Sequence, residues 1–358
     1  MKLCLILQID GVYGGAERRL ARTLLGIKKR GQFECELVLY GVERYATMFV
    51  NQENLSEIPR LFFDSQIKCI RYLCKQFNTV IWFFNLNHVA FFMEFLFPHK
   101  NRFYLFSIVN VNLSYMFLRS RKQRLIFPFL LKHSDAVDCL YPSAIAKLEK
   151  EFKRNFFCTP CPFTNVDEYV PLKKKKTIVF ASRLVPGKNV AVALEAINMT
   201  RKTIEEKGYK VIICGTGVLK DTVSNYIQNN NLSELVEYIG FVSLKTVLGE
   251  SSIFLSLQTI TNYPSQVLLE SISCGNFIVA TNTTDTNLVV KQEFGVLVDP
   301  NATSISYGIR YALDVVSVNG FENTSSKARE FAKENFCVNR SVSYFENICD
   351  SLQYGKKN

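Results

Sequence analysis

Arg183 and Lys188 fall within A-S-R-L-V-P-G-K-N, a turn that follows a short apolar run and precedes a stretch of helical period. The arginine sits just past a strand end and the lysine near the start of the next helix, so both cations can converge on one point. That pair suits a diphosphate, because Arg offers a planar fork of donors and Lys a compact charge. Together they would neutralise a departing diphosphate without a metal; a solvated surface is the competing reading. A later turn, T-N-Y-P-S-Q-V-L-L-E-S-I-S-C-G, holds Pro264 as an expected early helical residue, which leaves the N–H groups of Ser265 and Gln266 for phosphate or sugar oxygens. Glu270 follows on a face of Val267, Leu268, Leu269 and Ile272. A carboxylate there needs a partner, which is either a hydrogen bond within the protein or a pair of ligand hydroxyls.

Three glycine-bearing turns add weaker signals. In D-G-V-Y-G-G-A-E, Gly14 and Gly15 open a helix, where backbone N–H groups can approach an anion; service to a tight turn explains them equally well. Gly215 and Gly217 in I-C-G-T-G-V form half of a dinucleotide fingerprint, and Gly240 and Phe241 in I-G-F-V-S can present backbone groups to a planar base. None completes G-x-G-x-x-G, and no G-K-[ST] follows, so a dehydrogenase or a P-loop nucleotide hydrolase is disfavoured.

Positioning these turns requires alternating strands and helices. Short apolar runs at 3–9, 35–40, 60–63, 80–84, 103–109 and 136–141 alternate with helical stretches such as 16–29 and 143–152. The pattern recurs with runs at 177–181, 210–214, 236–241, 253–257 and 277–281. This is the pattern of β-α-β units, and it predicts an α/β protein with two doubly wound parallel sheets. Residues 158–176 contain three prolines and four consecutive lysines, poor material for a periodic element. The expected organisation is an N-terminal domain over 1–165, a linker over 166–176, a second domain over 177–336, and a C-terminal helix over 337–358 that packs back towards the first domain.

At 358 residues with 48% hydrophobic content, the chain can bury two cores and is not disordered. The formal net charge is +11, and residues 1–170 hold 23 basic against 15 acidic side chains. Such a field favours a polyanionic partner such as a membrane surface, a phosphorylated lipid or nucleic acid, and a solvated basic surface with no partner is the competing reading. The eleven cysteines lie in strand-like runs and read as buried thiols of a reducing compartment. One C-x-x-C, Cys158 to Cys161, lacks a second pair or a nearby histidine, which argues against zinc. Met1 and Lys2 lead into an apolar run that ends at Asp10 without a small-residue cleavage site, so a cytoplasmic protein is expected. Residues 80–97 come nearest to a membrane span, but Asn85, Asn87, His88 and Glu94 interrupt them. The basic, Phe- and Leu-rich stretch 115–131 admits interfacial association or a core-facing helix with a basic outer face.

The order G-G-A-E, R-x-x-x-x-K, G-x-G, G-F-V, N-Y-P-S-Q-V-L-L-E-S-I-S-C-G and F-G-V-L-V-D-P resembles glycosyltransferase family 4. The resemblance spans nearly the whole chain and is sharpest over 177–300. It implies the GT-B fold, two Rossmann-like domains facing a cleft, and a retaining, metal-independent transfer from a UDP- or GDP-sugar to a glycan or lipid-linked glycan. No cofactor and no nucleic acid are implied. Arg183 and Lys188 would hold the diphosphate, Glu270 the ribose, and Gly14, Gly15, Gly215, Gly217, Phe241, Tyr263, Pro264, Ser265 and Gln266 would line the donor site. The first glutamate of the family's E-x7-E motif falls on Asn262, whose amide keeps reach to a sugar hydroxyl but brings no charge. A histidine of the family's N-terminal domain is replaced by Asn110, on the acceptor side. A GT-B protein that binds a nucleotide sugar or polyanion without transferring is the alternative implied by those two departures.

Overall fold

The computed structural model describes residues 1–11, 13–84, 102–109, 121–159, 164–318 and 321–354. Two compact units result: one comprises Met1–Pro162 with Val338–Asn358, the other Phe163–Cys337. Asn110, Cys161 and most of the interrupted apolar stretch 80–97 lie outside the described residues.

The first unit runs β1 (Lys2–Ile9), α1 (Gly15–Arg30), β2 (Glu34–Gly41), α2 (Glu43–Gln52), β3 (Arg60–Phe63), α3 (Gln66–Leu73), β4 (Thr79–Phe84), β5 (Arg102–Ile108), α4 (Arg121–His133), β6 (Ala136–Cys139), α5 (Pro142–Phe152) and β7 (Phe157–Cys158). Its parallel sheet has the order β3-β2-β1-β4-β5-β6-β7. Both faces are covered, so the central strands are continuous apolar runs such as TVIWFF, buried at every position.

The second unit runs β8 (Thr177–Ala181), α6 (Val190–Met199), α7 (Arg201–Glu206), β9 (Lys210–Cys214), α8 (Lys220–Asn229), β10 (Val236–Gly240), α9 (Leu244–Glu250), β11 (Ile253–Ser256), α10 (Gln266–Ser273), β12 (Phe277–Thr281), β13 (Gly295–Val298), α11 (Ala302–Val318) and α12 (Phe321–Asn335). Its strands, also parallel, order as β10-β9-β8-β11-β12-β13. The order reverses between β8 and β11, and ligands of open α/β sheets bind beyond the carboxyl ends of strands at such a point.

Helix α12 ends at Asn335, because Phe336 is fully buried in the second unit and the chain then passes to the first. There it forms α13 (Val338–Tyr354), which packs along α1. Gly26 makes that approach possible, since a Cβ on it would lie 2.4 Å from Val342 Cγ2. Arg30 donates to Glu346 at 2.7 Å, Thr23 and Ser341 share a hydrogen bond, and the Trp82 and Phe345 rings meet at a tilt of 37° with centroids 4.3 Å apart.

The stretch 166–176, expected as a linker, is laced into the second unit instead. Leu172 and Lys175 donate from their backbones to Gly249 and Glu250, and Arg329 of α12 donates to the carbonyls of Val166 and Tyr169. The second unit holds 17 basic and 17 acidic side chains, so the whole excess of +11 belongs to the first.

Candidate functional site

Arg183 and Lys188 occupy the loop after β8, where the sheet order reverses. Arg183 is exposed and Lys188 half-buried. Burial, and then the neighbouring Arg183 charge, pull the Lys188 ammonium down to about 8. The Arg183 charge thus reaches the Lys188 ammonium. Lys188 Nζ donates to the side-chain oxygen of Gln258, in the loop after β11, and so bridges the reversal point.

The neighbouring loops are tied to this one through their backbones. Ser182 donates to the Cys214 carbonyl at 3.2 Å, Leu184 to that of Thr216 at 2.8 Å, and Leu219 returns a bond to Leu184. Gly215 donates to the Gly240 carbonyl at 2.7 Å, and Thr259 to that of Gly187 at 3.1 Å. The glycines of G-T-G are needed for this contact. A Cβ on Gly215 would stand 1.8 Å from the Ser182 carbonyl oxygen, one on Gly217 2.3 Å from that of Leu184, and both residues have positive φ. Gly215 and Gly217 thus support the loop that carries Arg183, where the sequence suggested direct donor contact. Phe241 stands 85% exposed just beyond β10.

In the last turn, Glu270 lies on α10 and is 2% exposed. The helix begins at Gln266 with Ser265 as its N-cap, so Pro264 precedes the helix and is not in its first turn. Ser265 has extended backbone angles, which is what a cap position requires. Its side chain makes no capping bond, and the first-turn N–H groups of α10 stay directed along the helix axis. The Gln266 side chain donates to Thr164. Tyr263 is buried, its N–H donates to Thr261 Oγ1 at 3.1 Å and its carbonyl accepts from the same hydroxyl at 2.9 Å, so the donor contact expected of it is not offered.

Asn262 corrects the sequence reading, which gave its amide a donor-sugar hydroxyl. The residue has no exposure at all. Its Oδ1 accepts from Ser256 Oγ at 2.9 Å and from the Gln258 N–H at 3.3 Å. Its Nδ2 donates to the Ser256 carbonyl at 2.9 Å and to Thr281 through both carbonyl and hydroxyl. Every direction of the amide is spent on fastening the ends of β11 and β12 together. Gln258 and Thr281 are neighbours of Lys188 and Asn262 that the motifs did not reveal, because neither belongs to a recognisable spacing.

Gly14 and Gly15 belong to the other unit. Gly14 caps α1 and donates its N–H to Glu17 Oε2 at 2.8 Å, so that amide is already engaged. In the same unit Arg18 and Arg22 both pair with the buried Glu53. Among the described residues, no helix is long and apolar enough to cross a membrane.

Two parallel-sheet, Rossmann-like units, with Arg183 and Lys188 at the reversal point of the second, make up an α/β protein of the GT-B fold. Residues 164–331, within the second unit, match the family model of "Glycosyl transferases group 1". The chain is similar to the N-acetylgalactosamine-N,N'-diacetylbacillosaminyl-diphospho-undecaprenol 4-alpha-N-acetylgalactosaminyltransferase of Campylobacter jejuni. The two are 27% identical over 328 residues, which cover 84% of this chain and 87% of that one. In fold it is similar to Anabaena HepE solved with UDP and glucose, at a TM-score of 0.79 and 14% identity over 98% of this chain and 100% of that one. A Staphylococcus aureus TarM mutant in complex with UDP matches at 0.79 and 13% identity, again over 98% and 100% of the two chains.

Proposed function

We propose that this glycosyltransferase is a retaining, metal-independent enzyme that moves a sugar from a UDP- or GDP-sugar to a hydroxyl of a lipid-linked glycan. The observation that carries the reading is the Arg183 and Lys188 pair at the sheet's reversal point, in the same unit as the amino end of α10 and the buried Glu270. In this reading Arg183 and Lys188 take up the negative charge that develops on the departing diphosphate. Preorganised charge of this kind is commonly the largest single contribution to catalysis. Glu270 accepts from the ribose hydroxyls, and the α10 amides face the donor's oxygens. The acceptor hydroxyl attacks from the face that the diphosphate leaves, and holding it there supplies the remaining rate advantage.

For the acceptor, the Campylobacter relative's name specifies a diphospho-undecaprenol-linked glycan. The first unit's excess of +11 fits an acceptor whose diphosphate is presented at an anionic leaflet, and peripheral attachment to the inner face of the cytoplasmic membrane follows.

A panel of UDP-, GDP-, ADP- and dTDP-sugars read by thermal shift identifies the donor, because a ligand that binds only the folded state raises its apparent stability. Transfer to a polyprenyl-diphosphate glycan is then followed with EDTA present and the anomeric configuration of the product read by NMR. Retained configuration and undiminished turnover in EDTA are expected. An inverted product, or turnover that magnesium restores, overturns the reading.

A further inference from the structure

We propose that Gln258 is the positioning residue for Lys188, and that Asn262 and Thr281 exist in this chain to hold Gln258 in register. The proposal rests on the reading that Lys188 binds the donor diphosphate. Gln258 is fastened at three points. Its N–H donates to Asn262 Oδ1, its carbonyl accepts from Thr281 Oγ1 at 2.6 Å, and its side-chain oxygen accepts from Lys188 Nζ. Thr281 Oγ1 also accepts from Asn262 Nδ2 at 2.6 Å, which closes a ring of hydrogen bonds among Gln258, Asn262 and Thr281. Asn262 and Thr281 have no exposure, so the ring is rooted in the core and only the Gln258 side chain projects from it.

A lysine stem has four rotatable bonds and a point charge at its end, so the place of that charge is set by what accepts from it. The Gln258 oxygen supplies an acceptor without a competing negative charge, which leaves the ammonium's full charge for a diphosphate. It also gives Asn262 a role that a glutamate could not fill. A carboxylate at that point would face the Ser256 and Thr281 carbonyl oxygens with no proton to offer.

The test uses the full chain with UDP and GDP as probes, measuring Kd by calorimetry across pH 6.5–10. Gln258→Leu is expected to weaken diphosphate binding about tenfold, the size of one hydrogen bond to a charged group. Gln258→Glu is expected to bind more weakly near neutrality, while the alkaline loss of binding moves up by about one pH unit, because a carboxylate beside Lys188 keeps it protonated. Thr281→Val should weaken binding in the Gln258 background and leave it unchanged in the Gln258→Leu background, the signature of residues acting in series. Wild-type Kd and pH profile in both Gln258 variants overturn the proposal. Lys188→Met separates the two levels: if it binds as tightly as wild type, the diphosphate reading itself fails; if it weakens binding while the Gln258 variants do not, only the positioning role fails.

Discussion

Lys174, the second of four consecutive lysines, points its Nζ at the Cys274 carbonyl oxygen, 2.7 Å away, just past the carboxyl end of α10. The same ammonium donates to the Ser251 carbonyl and to Asn276 Oδ1, each at 2.8 Å. Arg329 adds a bond to the Ser273 carbonyl at 3.0 Å. Two cations thus cap the negative end of the helix whose other end begins beside the candidate donor site.

Replacing Lys174 with Ala strands three acceptors and should cost about 2–4 kcal/mol, since each bond to a charged group contributes roughly 1.5–3 and some acceptors will find water. Lys173→Ala, on the same run but outside this contact, should stay within about 0.5 kcal/mol. Denaturant midpoints of the two variants check this, and equal midpoints would show that the contact is dispensable.

The cationic pair predicts both a rate and a pH dependence. Arg183→Ala should lower kcat by about 10²-fold, as loss of a charge-stabilising donor does. Lys188 is held at about 8 by burial and by Arg183, so it is charged below that pH and neutral above it. Affinity of the free enzyme for a nucleoside diphosphate should therefore fall as pH rises through about 8, and this alkaline limb should vanish in Lys188→Met. A limb that persists in that variant assigns it to another group.

Gly215→Ala should be damaging out of proportion to its size. The added methyl meets the Ser182 carbonyl oxygen in a backbone with φ of +131°, so the loop bearing Arg183 must move. A loss of about 1–3 kcal/mol is expected, together with a fall in activity. Gly31→Ala is the control: φ is also positive, but open space surrounds it, so stability drops while kcat holds.

Asp138 of β6 accepts from Thr159 Oγ1 at 2.7 Å and from the Tyr344 hydroxyl of α13 at 2.5 Å. Full burial pushes its carboxyl up to about 6, against those hydrogen bonds, which lower it. An unfolded aspartate has released its proton above about 4, whereas the folded one keeps it to about 6. The folded state therefore binds the extra proton in this window, and stability should fall as pH rises through it, by on the order of 2–3 kcal/mol. Asp138→Asn should remove that slope and equal or exceed wild-type stability at pH 7. Unfolding curves at several pH values between 4 and 7 decide it; identical slopes in the two proteins would discard the assignment.

Arg183 and Lys188 were legible in the sequence because their placement is local: a strand end, a turn and a helix start all lie within nine residues. Nearly every strand was legible for a similar reason, as buried parallel strands are uninterrupted apolar runs. β7 and β13 were not among the expected strands; β7 has only two residues and so carries no period. Lys174 looked like low-complexity charge, since its acceptors lie 77 to 102 positions away. Asn262 misled for the opposite reason. Its neighbours in sequence form the motif that suggested a donor contact, but Thr281, which claims its amide, arrives only through the pairing of β11 with β12.

The path of the chain has a consequence for biosynthesis. The second unit is continuous, whereas the first is completed only when α13 is added after Cys337. Until then the seat on α1 built around Gly26, and the face of Trp82 that meets Phe345, have nothing to pack against. On the ribosome, therefore, the unit begun first is finished last, and a chain broken off before Val338 would present an open apolar seam to chaperones and proteases while its second unit stands folded.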